Sequence, residues 1–247
     1  MTEQTTPARR TIREAADTVL QRLPAIGKLM IIGKTDAVTH ERIGPVESVV
    51  RDGDVLVCQG AAHDSRIETA GIASMIVDTS SVMRDQVYPR IDFNDAAGEP
   101  IVSVVGFGGL EPFEAALEGL SLETLTQAKE AAARKERPDV AADDPGRVPL
   151  EAALAAGVPI TIAFRKHGFV QSWQGVVPKI SPAMGFINVM DGDFHLHLPG
   201  GSVARWETQL SDGRTELVAL DADGAPIGLS LLAEDSAAFG PALQTAE

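Results

Sequence analysis

Histidine has the most adaptable chemistry in this chain, and two of the five histidines, His195 and His197, stand two residues apart in Phe194-His-Leu-His-Leu198. If this is a β-strand, alternation sends Phe194, Leu196 and Leu198 to one face and both imidazoles to the other. Two imidazoles on one face are half of a metal site and need a third ligand before they can hold an ion. A further histidine, His40, is followed directly by Glu41. It reads either as a ligand or as a hydrogen-bonded residue at a strand end. Arg66 in H-D-S-R-I and Lys179 in V-V-P-K are cations for an anionic ligand. Their ordinary alternative is a surface ion pair worth about 0–1 kcal/mol. His63, in A-A-H-D, reads as a turn residue, and Cys58, inside the apolar run D-V-L-V-C-Q, as a packing residue. Trp173 and Met184 can line a flat ligand or pack in a core. The familiar signatures of phosphate-binding loops, G-x-S-x-G hydrolases and H-E-x-x-H metalloproteases are missing from the sequence.

These residues sit in a chain of 247 residues, 44% of them hydrophobic, with a net charge of −14. That length and apolar content suffice for one large domain or two medium ones. The negative charge argues against nonspecific binding to nucleic acid or an anionic membrane surface. A single cysteine leaves no internal disulfide framework and suits a reducing compartment. No apolar run approaches a membrane span and the first residues are polar, so the cytoplasm is the expected location.

The elements that must position the histidines read as follows. Thr11 and Glu14 have the spacing of a capping box, followed by a helical apolar stripe to Leu23. From Gly27 to Val105 short β-rich runs alternate with Gly, Pro and Asp, which predicts an antiparallel sheet. Residues 111–120 read as a short helix, and Ser121 as the cap of a longer one reaching Arg137. Pro138–Pro149 reads as a linker, and 150–156 as a further helix before strands resume at Ile160. The two strand-rich halves look duplicated: Asp95–Ile101 and Asp221–Ile227 agree at five of seven positions, and Phe113 and Leu117 recur as Phe239 and Leu243. The predicted organisation is a first repeat with a leading helix over 1–120, a helix and linker over 121–149, and a second repeat over 150–247.

The segments G-F-V-Q-S-W-Q-G-V-V-P-K at 168–179, F-I-N-V-M-D-G-D-F-H-L-H-L at 186–198, A-V-T-H-E-R-I-G at 37–44 and H-D-S-R-I at 63–67 resemble the HemS/ChuS family of haem-utilisation proteins. That family is built from two such repeats; its ChuX/HutX relatives have one and dimerise. The resemblance implies an α+β fold of duplicated antiparallel sheets with packed helices. It also implies haem as the cofactor, with a haem transporter or haem oxygenase as partners, while the charge and the lack of an apolar span argue against nucleic acid and membrane insertion. By the same resemblance His40 is the candidate iron ligand, and Arg66, Lys179 and His197 are candidate haem contacts. The chain departs from the family where it lacks the histidine of a D-x-H-x-F segment: residues 121–150 contain no histidine. The arginine of a T-R-K-P segment is also missing, since Thr208 is followed by Gln209-Leu210-Ser211. The expected function is a haem carrier or buffer, with a haem-degrading enzyme and a haem-free interaction module as the other readings.

Overall fold

Short apolar runs punctuated by turn formers become strands, and in the computed structural model, which describes residues 8–126 and 137–245, strands dominate the chain. In chain order the first half contains β1 (Arg9–Ile12), helix α1 (Ala16–Leu20), β2 (Lys28–Lys34), β3 (Thr39–Pro45), β4 (Ser48–Asp52), β5 (Val55–Gly60) and β6 (His63–Glu68). It continues with β7 (Ser74–Asp78), β8 (Val82–Met83), β9 (Gln86–Val87), β10 (Arg90–Asn94), β11 (Pro100–Gly106), α2 (Leu110–Ala116) and β12 (Leu122–Thr124). The second half contains α3 (Val148–Ala156), β13 (Pro159–Lys166), β14 (Phe169–Val176), β15 (Ile180–Ala183), β16 (Phe186–Asp191) and β17 (Phe194–Pro199). It ends with β18 (Arg205–Ser211), β19 (Arg214–Leu220), β20 (Pro226–Ala233) and a 3₁₀ segment, Ser236–Thr245.

The chain divides into two units. Unit 1 comprises residues 1–32, 43–133 and 167–169, and holds the strand run β12-β1-β7-β10-β11-β2 and the meander β6-β5-β4. Unit 2 comprises residues 33–42, 134–166 and 170–247, and holds β3-β17-β16-β15 and β18-β19-β20-β13-β14. The fold is α+β, built on antiparallel sheets, and the duplication is visible in its detail. The Asp95 carboxylate accepts the N–H groups of Ala97 and Glu99, and the Asp221 carboxylate those of Asp223 and Ala225. In both turns a glycine takes up a positive φ, 84° at Gly98 and 80° at Gly224, a conformation open to residues without a Cβ. Each hairpin also carries a register shift, at Phe93/Asn94 and at Val218/Leu220. Phe113 and Phe239, the residues matched by the repeat, are both fully buried.

Several expectations are corrected. Thr11 opens no helix: it lies within β1, paired to both β12 and β7, and its hydroxyl donates to the Met75 carbonyl at 3.2 Å. Glu14 accepts the Ser121 N–H at 2.8 Å instead of closing a capping box. Two ladders of backbone hydrogen bonds outweigh the local helix signal, and only Ala16–Leu20 is α-helical. Ser121 likewise leads into strand β12; most of the helix expected beyond it lies outside the described residues. The stretch read as a linker is anchored within unit 2, where the Asp144 carboxylate accepts the Gly146 and Gly201 N–H groups and the Trp206 indole donates to the Pro145 carbonyl. Cys58 is a packing residue as expected, its thiol pushed up to about 12 by burial. No described helix is long and apolar enough to cross a membrane.

Candidate functional site: an imidazole and carboxylate cluster in unit 2

The alternation expected of Phe194–Leu198 is realised in β17. Phe194, Leu196 and Leu198 are fully buried, while His195 and His197 lie half-buried on the opposite face. Each buried apolar side chain of this size stabilises the fold by about 1.5–3 kcal/mol, which locks the strand's facing. Register then decides which residues join the imidazoles. Against β3, His195 lies opposite Glu41 and His197 opposite Thr39; against β16, His195 lies opposite Met190 and His197 opposite Asn188.

The result is a cluster. His195 Nδ1 lies 3.2 Å from Glu41 Oε2, and His197 Nε2 lies 3.8 Å from the same oxygen. The other nitrogen of His197, Nδ1, is 2.6 Å from Asn188 Oδ1, while Asn188 Nδ2 donates to the carbonyls of Ser181 at 2.9 Å and Phe186 at 3.3 Å. Phe186 meets His197 edge to face at 6.5 Å between centroids, and the Arg137 guanidinium lies 4.6 Å over the Phe186 ring. Partial burial disfavours charge on Glu41, but hydrogen bonding and attraction from His195 and His197 outweigh it and hold the carboxyl down at about 2. Glu41 is therefore ionised at neutral pH.

One residue earlier on β3, His40 faces the other way. It is fully buried against Phe194, at 4.9 Å between centroids, and Trp173 stacks on that same phenylalanine at 4.7 Å. His40 Nε2 lies 3.2 Å from the Ile162 carbonyl, and Nδ1 is 2.9 Å from Gln171 Nε2. Burial pushes its pKa down to about 3, against the partial opposition of the Ile162 hydrogen bond. The ring is thus neutral, with Nε2–H donating to Ile162 and Nδ1 accepting from Gln171. Both nitrogens of the residue expected to hold iron are engaged inside the core.

The remaining candidates lie apart. Arg66 belongs to unit 1, exposed on β6 and paired with Asp52 at 2.5 Å. Lys179 is exposed just ahead of β15 in unit 2. His63, expected in a turn, opens strand β6 as a buried residue 3.0 Å from the Gly44 carbonyl. Met184 is 75% exposed, whereas Trp173 is core. Sequence reasoning missed Asn188, Gln171 and Arg137, and left Glu41 as a neighbour of His40. The signal for Glu41 was the alternation itself, which puts adjacent strand residues on opposite faces.

Comparison with known proteins places this geometry in context. Residues 2–111 match the model of the haemin-degrading HemS.ChuX domain. Among solved structures, Escherichia coli ChuS, described as a heme oxygenase, superposes with a TM-score of 0.76 at 18% identity, over 96% of this chain and 88% of its own. A second structure, of the heme-degrading enzyme ChuS from E. coli O157:H7, gives 0.77 at 18% identity over 98% and 87%. PhuS, a heme-binding protein of Pseudomonas aeruginosa, gives 0.73 at 18% identity over 93% and 82%. No curated protein matches the chain in sequence. At these identities the structures speak for the fold, and the domain match adds that residues 2–111, somewhat under half of the chain, are similar to the haemin-degrading HemS.ChuX domain.

Proposed function

We propose that the chain binds haem and serves as a carrier or buffer in haem uptake and utilisation, with His197 as the protein ligand to iron. The observation that carries the reading is the face of β17 and β16 in unit 2. It offers a half-buried imidazole beside the ring of Phe186, with the Arg137 guanidinium over that ring. Haem asks for these three things: an axial nitrogen, an apolar surface for the porphyrin and a cation for a propionate. Similarity to a haem-handling domain and the shared fold of heme-binding PhuS support the same reading. His40, whose nitrogens serve Ile162 and Gln171, is a core residue in this account, and Lys179 is a second cation on the same unit.

Hemin titrated into the purified protein should give a shifted Soret band saturating near one haem per chain. His197→Ala should lose or shift that band, whereas Arg66→Ala should leave it unchanged. A featureless, nonsaturating titration would remove the proposal. Ring opening, the activity named for ChuS, is the second reading, since it shares the fold. Adding a reductant to the haem complex, with catalase to remove peroxide, separates the two: a carrier keeps its Soret band and a degrading enzyme loses it.

A further inference from the structure

We propose that Glu41, His195 and His197 form a site for a divalent first-row transition-metal ion bound directly by the protein, without porphyrin. Each of the three residues offers one ligand atom, and these atoms all lie within 4.8 Å of one another. Metal–nitrogen and metal–oxygen bonds of about 2.0–2.2 Å in tetrahedral geometry set neighbouring donors roughly 3.3–3.6 Å apart. The separations from Glu41 Oε2, 3.2 Å to His195 and 3.8 Å to His197, bracket that range. The donors also stand on strands whose register is fixed by paired backbones, so little ordering is required on binding.

The hydrogen bonds around Asn188 make the case sharper. Its amide nitrogen is committed to two backbone carbonyls, Ser181 and Phe186, so the atom turned to His197 is Oδ1. An amide oxygen only accepts, so His197 Nδ1 carries the hydrogen and, in the neutral ring, Nε2 carries a lone pair. Nε2 is therefore the ring atom turned to Glu41 Oε2, at 3.8 Å. The separation leaves room for a cation held by both atoms. The Nδ1–H to carbonyl contact is also the outer-shell bond that metal-ligating histidines use to fix their tautomer. Two imidazoles and one carboxylate suit zinc or ferrous iron, not magnesium or calcium, and three protein ligands leave at least one coordination position open. A proton on His197 Nε2, giving an imidazolium–carboxylate pair, is the competing cation.

The inference does not rest on haem, although His197 can serve only one occupant at a time. The test uses untagged, haem-free, chelator-treated full-length protein titrated with Zn2+ alone by calorimetry, with the Zn2+-induced change in Tm as a second readout. Expected is one saturable site per chain and a Tm that rises with Zn2+. Glu41→Gln and His197→Asn should each weaken binding at least about 100-fold and abolish the Tm response. Asn188→Ala, which frees the His197 ring to turn, should weaken it about 10–100-fold. His167→Ala, at an exposed histidine of unit 1, should bind as the wild type does. A wild-type protein with no saturable Zn2+ site overturns the proposal, as do folded Glu41→Gln and His197→Asn variants that keep wild-type affinity and the Tm response. Hemin binding is measured separately, so either result stands without the other.

Discussion

One step along β3 separates two opposite fates for a polar side chain. Glu41 is turned toward water and two imidazoles, while His40 is sealed into the core with both nitrogens bonded. The neutral state of His40 links its environment to acid stability. Its folded pKa, about 3, lies below the unfolded value of 6.5, so the unfolded chain binds the proton more readily. Its contribution to stability is therefore complete above pH 6.5 and falls by about 1.4 kcal/mol per pH unit as the solution is acidified toward pH 3. Replacing it with a residue that cannot titrate, His40→Gln, should lower stability at pH 7 by about 1–3 kcal/mol through disrupted hydrogen bonds. The same variant should flatten the pH dependence of the urea midpoint between pH 6.5 and 4. Parallel slopes for the variant and the wild type would contradict the assignment.

At the scale of elements, the turns Asp95–Ile101 and Asp221–Ile227 do the same structural work in the two repeats. Each aspartate satisfies two backbone N–H groups that the hairpin leaves open. Asp221→Ala should destabilise the protein by about 1–2 kcal/mol in chemical denaturation, and Asp95→Ala by a similar amount. These turns were legible in sequence because a D-x-x-G turn depends on its own few residues. So was the facing of β17, because five alternating residues record it. Thr11–Glu14 misled for the opposite reason: a local capping pattern carries no information about the two neighbouring strands that claim β1. His63 misled in the same way, since A-A-H-D resembles a turn until pairing with β5 makes it a strand. The cluster was half legible. His195 and His197 could be placed on one face from their spacing, but Glu41 and Asn188 join them through register between strands distant in sequence, which no short motif encodes.

At the scale of the molecule, the halves of the sequence and the units of the fold do not coincide. Residues 33–42 come from the first repeat yet belong to unit 2, where β3 pairs with β17. A chain truncated to residues 137–247 keeps the second repeat but loses Glu41, and it leaves β17 without the partner along its β3 edge. Unpaired edges with an apolar face invite association. The truncated chain should melt at lower temperature with less cooperativity and aggregate on heating, and a synthetic peptide of residues 33–45 should partly restore it by adding the missing strand. Melting identical to that of unit 2 in the intact protein would show that the strand is dispensable. The borrowed strand also changes what controls assembly of the cluster. A one-repeat chain of this design would have to obtain its carboxylate from a second molecule, so the pairing would dissolve on dilution. Covalent connection here presents the strand at an effective concentration of about millimolar whatever the abundance of the protein. A few copies per cell would carry the same completed cluster as a concentrated solution.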